Sequence, residues 1–237
     1  MVDLIIDGKH VEAEAGATIL QVARANGIEI PTLCSHDSLE SSGACRLCVV
    51  EIKKGNRTRI VTSCLYQVEK DLVVDTKCER VLNVRRLVME LLLARNPEAD
   101  VLKEMAREMG VVPQARFIPD TDKGKCILCR MCVRTCETIV GASAIGFSYR
   151  GSAKTLGGPF REASAACIGC GACAYVCPTG HIQMETTQDT RTIWGRTFPM
   201  LACDTCGRYF APKDQLQFIS ETTGVPMADL AVCTSCR

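Results

Sequence analysis

The placement of cysteine constrains this chain more than any other feature. Cys126-x2-Cys129-x2-Cys132-x3-Cys136 is followed, thirty residues later, by Cys167-x2-Cys170-x2-Cys173-x3-Cys177-Pro178. This is the spacing with which bacterial chains hold two 4Fe–4S cubes. The first three thiolates of each run bind one cube, and the fourth reaches across to the other. Cys126, Cys129 and Cys132 are therefore expected to share a cube with Cys177, and Cys167, Cys170 and Cys173 with Cys136. Gly169 and Gly171 let the backbone wrap closely around a bulky group. Pro178 keeps the loop from continuing as helix. A disulfide framework or paired zinc knuckles would leave the doubled pattern unexplained, because a zinc site takes four ligands.

Seventeen cysteines with only 5% aromatic residues describe small cores arranged around inorganic centres. The length, 237 residues, allows two or three domains. Net charge is +1 with both signs interspersed, so no single-sign stripe favours nucleic acid or an anionic membrane. The start, Met1-Val2-Asp3-Leu4-Ile5-Ile6-Asp7, lacks the basic and long apolar regions of a signal peptide. No apolar run approaches the roughly 20 residues that span a bilayer; Leu87 to Ala94 is short and broken by Glu90. The thiols are expected in a reducing cytoplasm as metal ligands, where disulfides are rare. Association with a membrane complex through other subunits fits the same reading.

A second centre is expected in the first 78 residues. Val2 to Ile6 and Val11 to Ala15 flank the hairpin signal Asp7-Gly8. Thr18 can cap a helix over Ile19 to Ala25, with Gly27 as its stop. Cys34, ten residues, Cys45-x2-Cys48, fifteen residues and Cys64 follow. Strands are expected over Val49 to Lys53 and Arg59 to Ser63, joined at Lys54-Gly55-Asn56. A long cysteine-bearing loop, a CxxC and a distant cysteine at a strand end suit a 2Fe–2S rhombus, whose irons take two thiolates each. A four-cysteine zinc site, which usually uses two close pairs, is the weaker alternative. Only His36 lies near this set, whereas a Rieske centre needs two histidines on one iron. His36 is therefore read as a locally bonded loop residue, and Cys78 as a spectator thiol.

Val81, Val84, Leu87, Val88, Leu91 and Leu92 recur at helical spacing, with Arg85, Arg86 and Glu90 elsewhere on the wheel. Asn96-Pro97 should end that helix, and a second is expected from Glu98 to Met109, stopped by Gly110. At the other end, Cys203-x2-Cys206 and Cys233-x2-Cys236 are two CxxC pairs twenty-six residues apart. Two close pairs suit a tetrahedral four-thiolate zinc site. Four thiolates can equally hold a third 4Fe–4S cluster. A unit of this size has too little core to stand without a metal staple. His181 follows Cys177-Pro178-Thr179-Gly180 and has either a tuning or an incidental structural role.

Residues 1 to about 190 resemble the iron–sulfur module of the large peripheral-arm subunit of respiratory complex I. Similar modules occur in the diaphorase iron–sulfur subunit of NAD-reducing hydrogenases and at the N-terminus of iron-only hydrogenases. The resemblance rests on Gly43-x-Cys45-Arg46-x-Cys48-x-Val50-Glu51, Arg85-Arg86-Leu87-x2-Glu90-Leu91-Leu92-Leu93, Lys125-Cys126-Ile127-x-Cys129 and Cys167-Ile168-Gly169-Cys170-Gly171-Ala172-Cys173. Many family members carry one histidine and three cysteines after the Leu-rich helix, binding a further cluster. Ala94 to Asp100 offers neither residue type, so that cluster is not expected, nor is a hydrogenase catalytic domain.

The resemblance implies an α+β chain of four parts. They are a β-grasp 2Fe–2S ferredoxin domain (1–78), a helical linker (79–118), a bacterial-type two-cluster ferredoxin domain (119–191) and a small zinc-ribbon-like unit (192–237). A small hairpin is expected between the cysteine runs, around Ala144 to Phe147 and Arg150 to Gly158. The implied function is an electron-transfer subunit. It would relay single electrons between a flavin-bearing NAD(P)H-oxidising partner and a catalytic subunit such as a hydrogenase, a formate dehydrogenase or another low-potential reductase. No nucleotide fingerprint and no nucleophile arrangement is present, so no catalytic site of its own is expected. The alternatives are a self-contained iron–sulfur enzyme, a fumarate-reductase-type iron–sulfur subunit and a scaffold whose metals only support contacts.

Overall fold

The computed structural model describes residues 1–114, 116–120, 124–158 and 164–237. The linker expected over 79–118 and the ferredoxin domain expected over 119–191 each include positions outside the described residues. The chain forms two compact units, Met1–Arg130 and Met131–Arg237.

The first unit begins with a hairpin, β1 (Val2–Ile6) and β2 (Lys9–Ala13). Asp7 and Gly8 both take positive φ, 50° and 79°, the backbone that matches a two-residue turn to the strand twist. This turn pairs Ile6 directly with Lys9, so β2 starts two residues before the expected Val11. Helix α1 covers Ile19–Ala25, as its spacing indicates. Thr18 and Gln21 form a reciprocal capping box at its start. Strands β3 (Val49–Lys54) and β4 (Arg57–Thr62) make the second hairpin. Strand β5 (Leu72–Asp75), not anticipated from the sequence, enters the sheet between β1 and β3. It runs parallel to β1 and antiparallel to β3, giving the order β2-β1-β5-β3-β4. Leu72 and Val74 alternate inward with the strand period. They join Leu4, Ile6, Ile19, Leu20, Val50 and Ile52 in one core. The Asp7 carboxylate fixes the end of β5 by accepting from the Thr76 N–H at 2.7 Å and its hydroxyl at 2.6 Å.

Helices α2 (Glu79–Arg95) and α3 (Asp100–Glu108) complete the unit, and α2 packs on α3 and β3. The buried face of α2 differs from the expected stripe. Val81, Arg85, Met89 and Leu93 are buried, whereas Leu87 and Leu91 are exposed. These four recur every fourth residue, which places them on one helix face. An arginine stands in that row because its guanidinium has a specific acceptor inside.

The second unit opens with α4 (Met131–Arg134), which passes directly into a π-helical turn over Thr135–Ile139. A short hairpin follows, β6 (Gly146–Ser148) with β7 (Thr155–Gly157), where a small insertion was expected. Helix α5 (Ala172–Tyr175) lies against α4. Then β8 (Met184–Thr186), β9 (Thr190–Ile193), β10 (Arg196–Ala202) and β11 (Tyr209–Pro212) form one antiparallel sheet. The boundary expected between 191 and 192 falls inside β9, so the sheet continues from the cysteine-rich region into the tail. Helices α6 (Lys213–Thr223) and α7 (Met227–Leu230) finish the chain around Ala211, Leu216 and Leu230. Among the described residues, no helix is long and apolar enough to cross a membrane.

Thr18→Ala removes the acceptor of the Gln21 amide at the start of α1. It should lower stability by about 1 kcal/mol, measured as a lower urea midpoint for loss of the visible absorbance; an unchanged midpoint would show that the box does not hold this helix.

Candidate metal centres

In the first unit, Cys34, Cys45, Cys48 and Cys64 are all buried. Cys48 immediately precedes β3 and Cys64 closely follows β4, so the β3–β4 hairpin brings the two together. The Ser63 N–H seals this end by donating to the Cys48 carbonyl at 3.0 Å. Cys34 and Cys45 bracket the intervening loop, where Gly43 and Arg46 take φ of 61° and 60°. A Cβ at Gly43 would approach Leu65 Cδ1 to 2.5 Å. Backbone amides face the sulfurs: Leu33 N–H donates to Cys45 Sγ at 3.5 Å, and Cys45 N–H to Cys34 Sγ at 3.4 Å.

Hydrogen bonds from the Cys45 and Cys64 side chains push the Cys34 thiol far down, and those two partners rise in return. The Cys64 side chain likewise lowers Cys48 to about 6. Such mutual coupling among four buried sulfurs suits a group that takes them as thiolates. Arg85, which sequence reasoning placed on the outer wheel, is 5% exposed and donates Nη2–H to the Val49 carbonyl at 2.7 Å. Its charge bears on Cys48. The sole signal for it was the four-residue spacing with Val81, Met89 and Leu93. His36 Nδ1 accepts from the Ser38 amide at 3.2 Å, a local loop contact.

The second unit holds a cavity lined by Cys136, Cys167, Cys170 and Cys173 with Ile145 and Trp194. Cys136 comes from the π-turn of the first run and the other three from the second run. Charge on Cys136 and Cys167 raises both Cys170 and Cys173, after the larger effect of burial, which takes Cys173 to about 11. The Ala144 amide donates to Cys136 Sγ at 3.2 Å. Gly169 and Gly171 take φ of 69° and 80°. A Cβ at Gly169 would meet the Phe198 ring at 2.5 Å, and one at Gly171 the Met184 Sδ at 2.5 Å. The cradle is therefore closed to side chains on its backbone side and rimmed by thiols.

Of the other expected set, Cys126 and Cys129 belong to the first unit, and Cys132 and Cys177 to the second. Leu128 and Arg130 adopt φ of 54° and 71°, occupying in the first run the places of Gly169 and Gly171. Asn96 Nδ2–H donates to the carbonyls of Gly124 and Cys126, both at 3.0 Å. Ser42 Oγ–H, from the Cys34–Cys45 loop, donates to the Cys129 carbonyl at 3.2 Å. Cys132 is buried in the core that Cys136 and Cys173 share, and Cys177 packs against that core. His181 is half-buried, and burial lowers its imidazole below the ordinary range.

In the tail, β10 ends before Cys203 and β11 begins after Cys206, so the first pair occupies a hairpin loop. The second pair follows α7. Their four sulfurs lie within 4.8 Å of one another, and Cys206 Sγ and Cys233 Sγ are 3.9 Å apart. The Cys233 amide donates to Cys203 Sγ at 3.3 Å; amides of Cys233 and Cys206 bring Cys203 down to about 6. Arg208 Nη2–H contacts Cys233 Sγ at 3.8 Å and lowers that thiol.

Residues 1–79 match the 2Fe-2S iron-sulfur cluster binding domain, and residues 125–180 match the 4Fe-4S dicluster domain. The NADPH-Fe(3+) oxidoreductase subunit alpha of Geobacter sulfurreducens is 33% identical over 232 residues, covering 87% of this chain and 27% of that protein. The mitochondrial NADH-ubiquinone oxidoreductase 78 kDa subunit of Candida albicans is 31% identical over 182 residues, covering 66% of this chain and 25% of that protein. A solved structure of NAD+-reducing [NiFe]-hydrogenase in the H2-reduced state aligns with TM-score 0.64 and 28% identity, over 76% of this chain and 85% of that one. The chain therefore carries a 2Fe-2S cluster binding domain and a 4Fe-4S dicluster domain, and along most of its length it is homologous to these oxidoreductase subunits. It spans about a quarter of the length of these two curated relatives.

Within this iron–sulfur module, Gly169→Ala should displace Phe198 and lower the iron and acid-labile sulfide content of anaerobically purified protein. Gly146→Ala, with open space at its Cβ and no positive φ, should leave both unchanged. Equal content in the two variants would show that the cradle tolerates a side chain.

Proposed function

We propose that the chain is an electron relay. It would carry one 2Fe–2S cluster on Cys34, Cys45, Cys48 and Cys64, and two 4Fe–4S cubes. One cube is assigned to Cys126, Cys129, Cys132 and Cys177, the other to Cys136, Cys167, Cys170 and Cys173. Each cluster supplies one-electron exchange, with a potential set by hydrogen bonds to sulfur, burial and net charge. The observation that carries the reading is the thiol-lined cavity, where a cysteine of one run meets three of the other. The Ser42 bond to the Cys129 carbonyl adds a direct link between the loop of the first centre and the first cubane run.

By analogy with the relatives, the electrons would pass between a flavin-bearing NAD(P)H-oxidising subunit and a catalytic oxidoreductase subunit. The chain's own residues hold, insulate and tune the clusters. The module's full sets of four thiolates favour relay over substrate binding at an open iron.

The tail is proposed as a structural zinc site on Cys203, Cys206, Cys233 and Cys236. Zinc at about 2.3 Å from each sulfur in a tetrahedron sets sulfurs roughly 3.8 Å apart. The 3.9 Å between Cys206 and Cys233 fits that spacing, whereas a cube spreads its four thiolates over four separate irons. A third 4Fe–4S cluster is the competing occupant.

Metal analysis with EPR on anaerobically purified protein tests the assignment. The expected content is about 10 irons and one zinc per chain, with three distinguishable reduced signals; about 14 irons without zinc would make the tail a further relay centre. Cys177→Ser should damage the cube of Cys126, Cys129 and Cys132. Damage confined to the cube nearer in sequence would overturn the crossed ligation.

A further inference from the structure

The β9–β10 hairpin, which carries no recognisable motif, supplies the cover of the Cys136–Cys173 cavity. Arg191 Nη1–H donates to the carbonyls of Gly169 and Cys170, at 3.3 and 3.0 Å. Arg196 Nη1–H donates to those of Ser164, Ala165 and Cys167, at 2.6, 3.3 and 3.0 Å. Phe198, 1% exposed, fills the space behind Gly169, and the Arg196 guanidinium lies 4.7 Å from its ring centroid. Two arginines thus fasten the hairpin to the cysteine loop by its backbone rather than by side chains.

The hairpin tip carries the one residue that these clamps do not explain. Trp194 and Gly195 take φ of 56° and 73°, the two-residue turn normally built from Asn-Gly or Gly-Gly. A bulky residue in this left-handed position is costly, and such strain persists where the surroundings fix it for a purpose. Here the strained residue's ring lines the cavity. Its Nε1 is buried and meets no hydrogen-bond partner among the described residues. A buried indole N–H normally finds an acceptor.

We propose that Trp194 is the hydrogen-bond donor that tunes the cube held by Cys136, Cys167, Cys170 and Cys173, giving its indole N–H to a sulfur of that centre. The inference rests on the assignment of those four cysteines as cube ligands. When one electron enters the cube from a reductant, the centre gains one unit of negative charge and no bond is made or broken. A donor aimed at sulfur stabilises the more negative state, so Trp194 raises the potential of this cube relative to the same cube without it. Its ring also excludes water from the thiol-lined side.

The chain contains one tryptophan, so a nitrogen label reports on this residue alone. Holo-protein grown with ¹⁵N-indole tryptophan and reduced with dithionite should show ¹⁵N coupling to one of the two cubes in pulsed EPR. An exchangeable proton coupled to the same cube should vanish in Trp194→Phe. In a redox titration of Trp194→Phe, that cube's reduced-to-oxidised ratio at a fixed potential should fall about tenfold, equivalent to 59 mV for one electron. The other two centres should not move. Two reducible cubes with no ¹⁵N coupling to either would overturn the role of Trp194 and leave the ligand assignment standing. Absence of a second cube's iron and signal would overturn both. Should Trp194→Phe lose iron, the labelled wild-type protein decides the matter without it.

Discussion

Sulfur that will carry negative charge beneath a protein surface needs donors aimed at it, and the backbone has few ways to turn its amides inward. That constraint runs through three of the four cysteine sets. Leu33 and Cys45 amides face the first set, the Ala144 amide faces Cys136, and the Cys233 amide faces Cys203. Each arrangement draws on loop backbone that departs from helix or strand. Positive φ at Gly43, Arg46, Gly169, Gly171 and Gly207 marks the turns involved. The strands and helices around them are short because their task is to fix loop ends. The main sheet of the first unit places Cys48 and Cys64 at one edge of a hairpin; the second sheet places Cys203 and Cys206 in another.

The two cysteine runs solve this problem at different local cost. The second uses glycine at both left-handed positions, while the first uses Leu128 and Arg130. A side chain in that conformation costs about 1 kcal/mol or more, so the first run needs compensation from outside. Asn96 holds the carbonyls of Gly124 and Cys126, and Ser42 holds that of Cys129. Side chains from the preceding segments thus do for the first run what glycine freedom does for the second.

Much of this organisation was legible in the residues, because metal ligation leaves a rigid spacing. The closeness of the four tail cysteines, the α1 boundaries, the Asp7-Gly8 turn and the helix stops at Asn96-Pro97 and Gly110 all follow from local chemistry. What local chemistry could not supply was tertiary. Strand β5 is short and forms only because β1 and β3 leave a slot between them. Arg85 looked like a solvent-facing charge because its acceptor, the Val49 carbonyl, is 36 residues away in sequence. Trp194 was silent for the same reason, since its position over Cys136 and Cys173 depends on a hairpin folding back over an earlier loop. The boundary expected at 191/192 followed the two CxxC pairs of the tail, whereas strand pairing carries β9 across it.

The continuity of the β8–β11 sheet has a mechanical meaning. Strand β10 pairs on one side with β9, whose neighbouring turn covers the cysteine cavity, and on the other with β11, which closes the loop of Cys203 and Cys206. The last fifty or so residues are therefore not a pendant that could swing or be shed without consequence. They act as a tie-beam, in which a force applied at one thiol group is carried through paired backbone to the cover of the other.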